Sequence, residues 1–168
     1  PVEKSGTTAC EALLSASMLA PYAGQSAQRT KLCQESLLLF QGLQDQRGIA
    51  QAFQELGHAA SAQGKYAEAH QLHTKSLALF QEIRDLPGIA NATLAFAQVL
   101  YAQCAHREAY ASGQESLQRF QNMNNRQGIA QALSLLAFLA GYYQEHTKAI
   151  TLAEESLRIF KEEGKEWE

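Results

Sequence analysis

The sequence predicts an all-α protein, an α–α superhelix (solenoid) of four helix-turn-helix repeats with eight helices. The first observation is a repeated phrase: Gly48-Ile49-Ala50 returns at Gly88-Ile89-Ala90 and at Gly128-Ile129-Ala130, 40 residues apart each time. The second is the composition, with only 3 prolines in 168 residues and abundant Ala, Gln and Leu, which favours helix. A two-helix unit is too small to bury its own apolar face, so this period predicts units that stack.

A second pattern keeps the same register. Ser36 is followed by Leu37 and Phe40, and the same three residues recur from Ser76, Ser116 and Ser156. The chain is therefore predicted to be a single array, 1–168, with copies at 5–44, 45–84, 85–124 and 125–164.

Within each copy the apolar spacing predicts two helices separated by a turn. In the second copy, the first apolar face is formed by Ile49, Phe53, Leu56 and Ala60. The second face is formed by Tyr66, Ala69, Leu72, Ser76, Leu79 and Ile83. Gly64, between the two faces, is suited to end a helix. By register the helices are expected near 8–23, 26–43, 46–63, 66–83, 86–103, 106–123, 126–143 and 146–163.

Several helix starts carry side chains that can cap them. Asp45, Asp85 and Asn125 precede first helices, where a side-chain oxygen can accept a backbone N–H. Thr8 and Glu11 have capping-box spacing. The Gly-Ile-Ala phrase then opens the first helix of the last three copies, where Gly and Ala allow close approach to the second helix of the preceding copy. The repeated serines lie mid-helix, and each hydroxyl is expected to bond to a carbonyl one turn earlier.

The second copy also carries a family pattern, in the residues Phe53, Leu56, Gly57, Ala60, Tyr66, Ala69 and Ser76. These residues occur in the order that the tetratricopeptide repeat motif requires. Over residues 5–164 the chain therefore resembles the tetratricopeptide repeat family. The copies are longer than the usual repeat of about 34 residues, and Ala97 and Ala137 replace the glycine of the Leu-Gly pair. The 40-residue variant is similar to arrays in bacterial LuxR-type regulators with an ATPase domain, including regulators of the maltose-activator kind.

Composition narrows the class of function. The formal net charge is −3 and no basic stripe is visible, so nucleic-acid binding by this region is not expected. No apolar run approaches the ~20 residues of a membrane span, so we expect a cytoplasmic protein without membrane contact. The odd set Cys10, Cys33 and Cys104 lacks metal spacing and predicts three reduced, mostly buried thiols.

The motifs that could carry chemistry are weak. The stretch from Gly57 to Tyr66 superficially resembles a phosphate-binding loop, but Tyr66 stands where Ser or Thr must hold magnesium. His70 and His73 have helical spacing for a metal, yet His73 falls on the core stripe and no third ligand follows. We therefore predict no catalytic residue, no cofactor and no metal site, and a chain that is not an enzyme.

The resemblance implies a concave groove lined by the first helices. Its predicted partner-binding residues are neutral, amide-bearing or aromatic, which suits an extended peptide. They are Gln51, Gln54, His58, Asn91, Gln98, Tyr101, Gln131, Ser134 and Tyr142. Leu14, Leu94 and Phe138 fit either the groove or packing between first helices.

The implied function is a protein–protein interaction module that binds a protein or peptide segment in this groove. The partner can include other domains of a longer protein, and the resemblance implies a bacterial signalling or transcription regulator. The alternative is an effector-sensing domain whose groove binds a small-molecule inducer. Ile150, Leu157 and Phe160 look built for a following helix, so the array is expected to continue past both ends, with self-association through the exposed ends.

Overall fold

The computed structural model of the protein describes residues 26–165, which form helices joined by short turns and contain no strand. These residues hold seven helices, one fewer than predicted, and three complete helix pairs rather than four. The predicted helix near 8–23 lies outside the described residues. The helices are α1 Ser26–Gly42, α2 Gln46–Ala62, α3 Tyr66–Glu82, α4 Leu86–Ala102, α5 His106–Asn122, α6 Arg126–Tyr142 and α7 His146–Lys165.

The 40-residue period has a simple structural origin. The helices α1 to α6 each have 17 residues. Three residues separate each helix from the next. Two such helices with their turns make up one copy, which is why the register persists along the sequence.

Each turn contains one residue in the left-handed region. These residues, with φ between 52° and 74°, are Gln44, Gly64, Arg84, Cys104, Asn124 and Gln144. The N–H of the next residue bonds to a carbonyl five positions back, as from Asp45 to Phe40 at 3.0 Å. This is the Schellman geometry, which satisfies carbonyls at the end of the helix. The assignment of Gly64 to a helix end is confirmed.

In each turn between copies, one residue closes the end of the preceding helix with its backbone and caps the start of the next helix with its side chain. The predicted caps are confirmed, because each side-chain oxygen accepts a backbone N–H three residues later. The bonds run from Gly48 to Asp45 (3.0 Å), from Gly88 to Asp85 (3.1 Å) and from Gly128 to Asn125 (2.9 Å). Lys65 and Ala105, which start the second helices α3 and α5, make no such side-chain bond.

The glycine of each Gly-Ile-Ala phrase lies under an aromatic ring of the preceding second helix. A Cβ on Gly48 would lie 2.2 Å from the Phe40 ring, and the same holds for Gly88 with Phe80. The close approach predicted for this phrase is therefore confirmed. The rings of Phe40, Phe80 and Phe120 are almost completely buried as a result.

The repeated serines are buried, but two of them bond differently from the prediction. Ser36 donates to Leu32 O, one turn back, as expected. Ser76 and Ser156 instead donate across to Ala50 O and Ala130 O on the first helix of the same copy, at 2.8 and 2.7 Å. A carbonyl has two lone pairs, so an alanine carbonyl already bonded within its helix can accept a second donor.

Some predicted core positions are exposed instead. Tyr66 and Ile83 lie at the two ends of their helical stripe, next to the turns, and both are exposed. Of the cysteines, Cys33 is buried as expected, whereas Cys104 is exposed because it lies in a turn. Cys10 lies outside the described residues.

The chain divides into two compact units, with the boundary between Ala95 and Phe96 in α4. The core of the first unit includes Ala50, Phe80, Ile89 and Ala92. That of the second includes Ala130, Leu133 and Ile159. Among residues 26–165, no helix has both the length and the apolar character that crossing a membrane requires.

Candidate functional site

In the unit that ends at Ala95, the predicted groove residues lie on α2 and the first part of α4. Gln51, Gln54 and His58 follow helical spacing on α2 and are half-buried. Asn91 on α4 is exposed. Three amide side chains and one imidazole are therefore accessible, at least in part, on the first helices of this unit.

A polar cluster, formed by the half-buried Arg29 and His58 and the buried Glu55 and His73, includes one of these residues. Glu55 is buried, and Arg29 Nη2 lies 2.8 Å from its Oε2. The rings of His58 and His73 meet edge-to-face, with centroids 5.0 Å apart. Both ring nitrogens of His73 are buried without a hydrogen-bond partner among the described residues.

Both imidazoles of this cluster are held neutral. Burial lowers the pKa of His73 to about 3, and the nearby His58 and His70 contribute to the lowering. Burial also lowers the pKa of His58, against the opposing effect of Glu55. His58 therefore presents an uncharged ring on this face at neutral pH.

In the unit that begins at Phe96, the predicted residues lie on the end of α4 and on α6. Gln98 and Gln131 are exposed, whereas Tyr101 and Ser134 are half-buried. Tyr142, at the end of α6, is 59% exposed.

Contacts between rings join two of these residues into an aromatic cluster, formed by Tyr101, His106, Phe138, Tyr142 and Tyr143. The Tyr101 ring centroid lies 5.5 Å from that of His106 and 6.5 Å from that of Phe138. The His106 and Tyr142 centroids are 3.7 Å apart, and Tyr142 meets Tyr143 edge-on at 5.3 Å. Predicted groove residues Tyr101 and Tyr142 thus belong to one continuous aromatic surface.

Leu14, Leu94 and Phe138 were predicted either to line the groove or to pack between first helices, and the structure distinguishes two of them. Leu94 is buried and serves packing, while Phe138 is 64% exposed and belongs to the aromatic cluster. Leu14 lies outside the described residues. Sequence reasoning missed His106 and Tyr143 as part of this surface. Their positions next to the turns were the available signal, but the pairing depends on how α5 and α6 pack.

Few charges lie on the first helices. The helix α4 has no charged residue, and α6 has only Arg126. That arginine pairs with Glu162 and Glu163 of α7. Tyr101, Phe138 and Tyr142 of the aromatic cluster therefore lie on helices that carry almost no charge, whereas His106 begins the charged helix α5.

An open cleft of about 530 Å³ lies between α6 and α7. It is lined by Ser134 and Phe138 of α6 and by mostly apolar residues of α7, among them Ile150, Leu157 and Phe160, together with Ser156. These three α7 side chains are exposed. This face differs from the groove residues above in being almost purely apolar.

The stretch that resembles a phosphate-binding loop has another structure. Residues 57–62 belong to α2, and Gly64 then makes the helix-ending turn. This part of the chain is therefore not a loop that could wrap a phosphate. Within residues 26–165, no three His, Cys, Asp or Glu side chains come together in a way that could hold a metal ion.

Comparison with known proteins defines the fold but no family. No protein-family model and no curated protein sequence matches the chain. Solved structures do match it. The structure of BtubC (BKLC) from P. vanneervenii has a TM-score of 0.74 and 17% sequence identity, covering 95% of this chain and 72% of that one.

Two further matches are structures from Podosopora anserina, described as a putative kinesin light chain with nearly identical TPR-like repeats. One of them, a form with a single substitution, has a TM-score of 0.66 and 14% identity, over 93% of this chain and 76% of that one. The other has a TM-score of 0.62 and 14% identity, over 91% and 75%. The chain thus has a tetratricopeptide-like repeat fold, helical throughout residues 26–165 apart from the turns.

Proposed function

We propose that this chain is a protein-interaction scaffold that binds a protein or peptide segment on the exposed faces of its first helices. We further propose that it works in the cytoplasm as part of a bacterial signalling or transcription regulator, without catalysis of its own. The observation that carries the binding proposal is the aromatic cluster, in which Phe138 and Tyr142 are more than half exposed and, like Tyr101, lie on helices with almost no charge.

The chemistry of this surface suits a polypeptide. Tyrosine supplies a large contact area with few rotatable bonds, and aromatic residues dominate the energetics of many interfaces. The exposed amides of Gln98 and Gln131 can each donate to and accept from a peptide backbone. A partner segment with apolar or aromatic side chains and little charge is the occupant that matches both features.

The second candidate, an inducer-sensing domain, draws on the cleft between α6 and α7. Its volume of about 530 Å³ falls within the range of ligand sites. Ligand sites, however, combine an apolar lining with several polar groups that fix orientation. Here the lining has two polar side chains, those of Ser134 and Ser156, and the Ser156 hydroxyl already donates to Ala130 O, so a polypeptide is favoured.

The test is a screen of neutral, unstructured peptides on an array, followed by fluorescence-anisotropy titration of the best binders. Tyr101→Ala and Tyr142→Ala should each weaken binding by about fivefold or more, since buried aromatic anchors contribute over ~1 kcal/mol. Tyr66→Ala removes an exposed tyrosine of the first unit and should leave the affinity unchanged.

Circular dichroism of each variant shows whether the fold is retained. In parallel, a thermal-shift screen of sugars and metabolites examines the sensing alternative, because a ligand of the folded state raises its stability with concentration. Equal peptide affinities for Tyr101→Ala, Tyr142→Ala and the unchanged protein contradict the proposal. A concentration-dependent shift by a metabolite, without peptide binding, favours the sensor.

A further inference from the structure

Another cavity, which we call the α1–α3 cavity, lies in the unit that ends at Ala95, where α1, α2 and α3 meet. Its volume is about 240 Å³. Its floor is apolar and consists of Leu37, Phe53, Leu56, Ala60 and Leu72. Its rim is polar and consists of Thr30, Gln34, Gln63, Lys65 and Glu68. An apolar body with a few polar groups is the composition of a small-molecule site, and the volume suits a small ligand.

The fourth copy has the same kind of floor but a different rim. In the repeat register, 80 residues later, every floor position is again apolar, with Leu117, Leu133, Leu136, Ala140 and Leu152. Four of the rim positions differ. Tyr110 and Tyr143 replace Thr30 and Gln63, and Glu145 and Lys148 replace Lys65 and Glu68.

In the fourth copy, the chain's own side chains close this place. The cavity that remains there is lined by Arg107, Tyr110, Tyr143, Glu145 and Lys148, and none of the five floor residues reaches it. Lys148 Nζ lies 2.7 Å from Glu145 Oε2 and 5.2 Å from the centroid of the Tyr110 ring. Two aromatic rings and an ion pair therefore cover the floor, and no further helix is needed.

The α1–α3 cavity lacks both the rings and the ion pair. Where the tyrosines would lie, Gln63 Nε2 donates to Thr30 Oγ1 at 3.2 Å. Phe53 of the floor is half-buried, whereas Leu133 in its place is 4% exposed.

The two charges at the rim are also left without partners. Lys65 and Glu68 are exposed, and within residues 26–165 neither side chain forms an ion pair or a hydrogen bond. A ligand that completes this cavity therefore supplies an aromatic ring, an anion for Lys65 and a cation for Glu68.

We propose that the α1–α3 cavity binds a free aromatic amino acid. The ring of the ligand packs on Phe53 and its leucine neighbours, its carboxylate pairs with Lys65, and its ammonium group pairs with Glu68. Lys65 precedes the first turn of α3, where the helix dipole also favours an anion. The cavity shares no residue with the aromatic cluster, so the scaffold proposal stands or falls independently of it.

The probe is L-phenylalanine, titrated into the full chain by isothermal titration calorimetry. We expect saturable binding. Lys65→Met and Glu68→Gln should each weaken it about threefold or more, because each removes one charge pair at an exposed rim. Lys161→Met, the same change on the exposed face of α7, is the matched control and should leave the affinity unchanged. Tyr142→Ala should leave it unchanged as well, which separates this cavity from the surface of the scaffold proposal.

Two derivatives of the probe show which charge meets which residue. N-acetyl-L-phenylalanine lacks the ammonium group and L-phenylalaninamide lacks the carboxylate, so each should bind about threefold or more weakly than L-phenylalanine. Glu68→Gln should not weaken the acetylated compound further, and Lys65→Met should not weaken the amide further. In each case the partner charge is already absent, so the two losses are not additive.

A third variant closes the cavity with the side chains of the fourth copy. Thr30→Tyr/Gln63→Tyr covers the floor and should reduce the affinity for L-phenylalanine about tenfold or more. Circular dichroism and urea denaturation show whether this variant keeps the fold. The two single charge variants alter exposed side chains only, and they decide the outcome even where the double variant does not fold.

The proposal is overturned by the absence of saturable L-phenylalanine binding, or by undiminished binding in both charge variants. It is also overturned when either derivative binds more tightly than L-phenylalanine, because the cavity then recognises one end of a peptide. Saturable binding, with a loss in each charge variant and no further loss for the matching derivative, supports the free amino acid.

Discussion

Glycine serves two different purposes in this chain. Gly64 adopts a positive φ of 74° and ends α2, a conformation that costs other residues energy. Gly48, Gly88 and Gly128 lie inside helices, where glycine is normally unfavourable, and are needed because a phenylalanine ring occupies the space of their Cβ. The ring, and not the backbone, therefore explains the repeated glycine.

The helix α6 contains one glycine under a phenylalanine ring and one with open space around it. The same substitution at both positions measures the effect of the ring. Gly128→Ala should destabilise the protein by roughly 1–3 kcal/mol through overpacking against Phe120, although alanine favours helix. Gly141→Ala is the matched control, because its added Cβ has no neighbour within 4 Å beyond its adjacent residues and the backbone of its own helix. It should be neutral or stabilise by up to ~1 kcal/mol. Urea denaturation measures both changes, and a neutral Gly128→Ala contradicts the ring contact.

The ion pair between Arg29 and Glu55 is a residue-scale feature that the next copy lacks. Ala69 and Ala95 stand at the corresponding positions there. Arg29 is 20% exposed and Glu55 only 7%, so removing the arginine leaves a buried carboxylate without its partner.

Arg29→Ala alone should therefore cost about 3 kcal/mol, as expected when one partner of a buried pair is removed. The double variant Arg29→Ala/Glu55→Ala reproduces the alanines of the next copy and should recover most of that loss, to within ~1 kcal/mol of the original protein. A double-mutant cycle by urea denaturation measures both. Additive losses from the two single changes would show that the pair is not coupled.

At the scale of elements, the contact between α2 and α3 depends on one glycine and one histidine. A Cβ on Gly57 would lie 2.6 Å from the ring of His73, so the small residue on α2 makes room for the large one on α3. The fourth copy has Ala137 and Ala153 at these positions. The pair of helices thus accepts either combination, provided that one residue leaves space for the other.

This contact predicts how stability depends on pH. The pKa of His73 falls from 6.5 to about 3 on folding, so the unfolded chain binds more protons between those values. The stability that the neutral His73 ring contributes is fully present above its pKa in the unfolded chain. It is lost as the pH falls toward the pKa of His73 in the folded protein. Between pH 7 and pH 5 the loss from this group is about 2 kcal/mol.

Urea denaturation at several pH values is the measurement. Gly57→Ala/His73→Ala reproduces the residues of the fourth copy and removes the titrating ring, so its stability should fall less over the same range. The lowered pKa of His58 changes stability with pH in the same direction, and His58 is still present in the variant. An unchanged pH dependence in the double variant would exclude His73 as the source.

Most of the helical elements could be predicted because each local signal agreed with the 40-residue register. Asp45 and Gly64 mark helix ends by local chemistry, and the observed bounds follow the predicted ones closely. The bond from Ser76 to Ala50 could not be predicted, because it depends on the distance between two helices. The same holds for His106 and Tyr142, whose ring contact joins different helices.

At the scale of the whole molecule, charge is unevenly distributed among the described helices, and it is scarcest on the first helices α4 and α6. The chain has 14 basic and 17 acidic residues for a net charge of −3. Second helices such as α5 carry several charges each, whereas α4 carries none and α6 only the paired Arg126. Most of the predicted groove residues lie on these two helices, and the other three lie on α2, which carries Arg47 and Glu55. Their role in binding, and the extension of one array over all four copies, remain predictions.

This segregation predicts a binding affinity that depends little on salt. Ions screen interactions between charges, so a neutral peptide bound at α4 and α6 should change its Kd by no more than about twofold between low and high ionic strength.

Gln98→Glu places a carboxylate at an exposed position of α4 and should weaken binding of an acidic peptide, most at low salt. Gln118→Glu makes the same change on the exposed face of α5 and serves as the control. Titrations of a neutral and an acidic peptide against both variants, at two salt concentrations, measure these effects. A strong salt dependence with the neutral peptide, or equal effects of the two substitutions, would instead place the binding surface on the charged second helices.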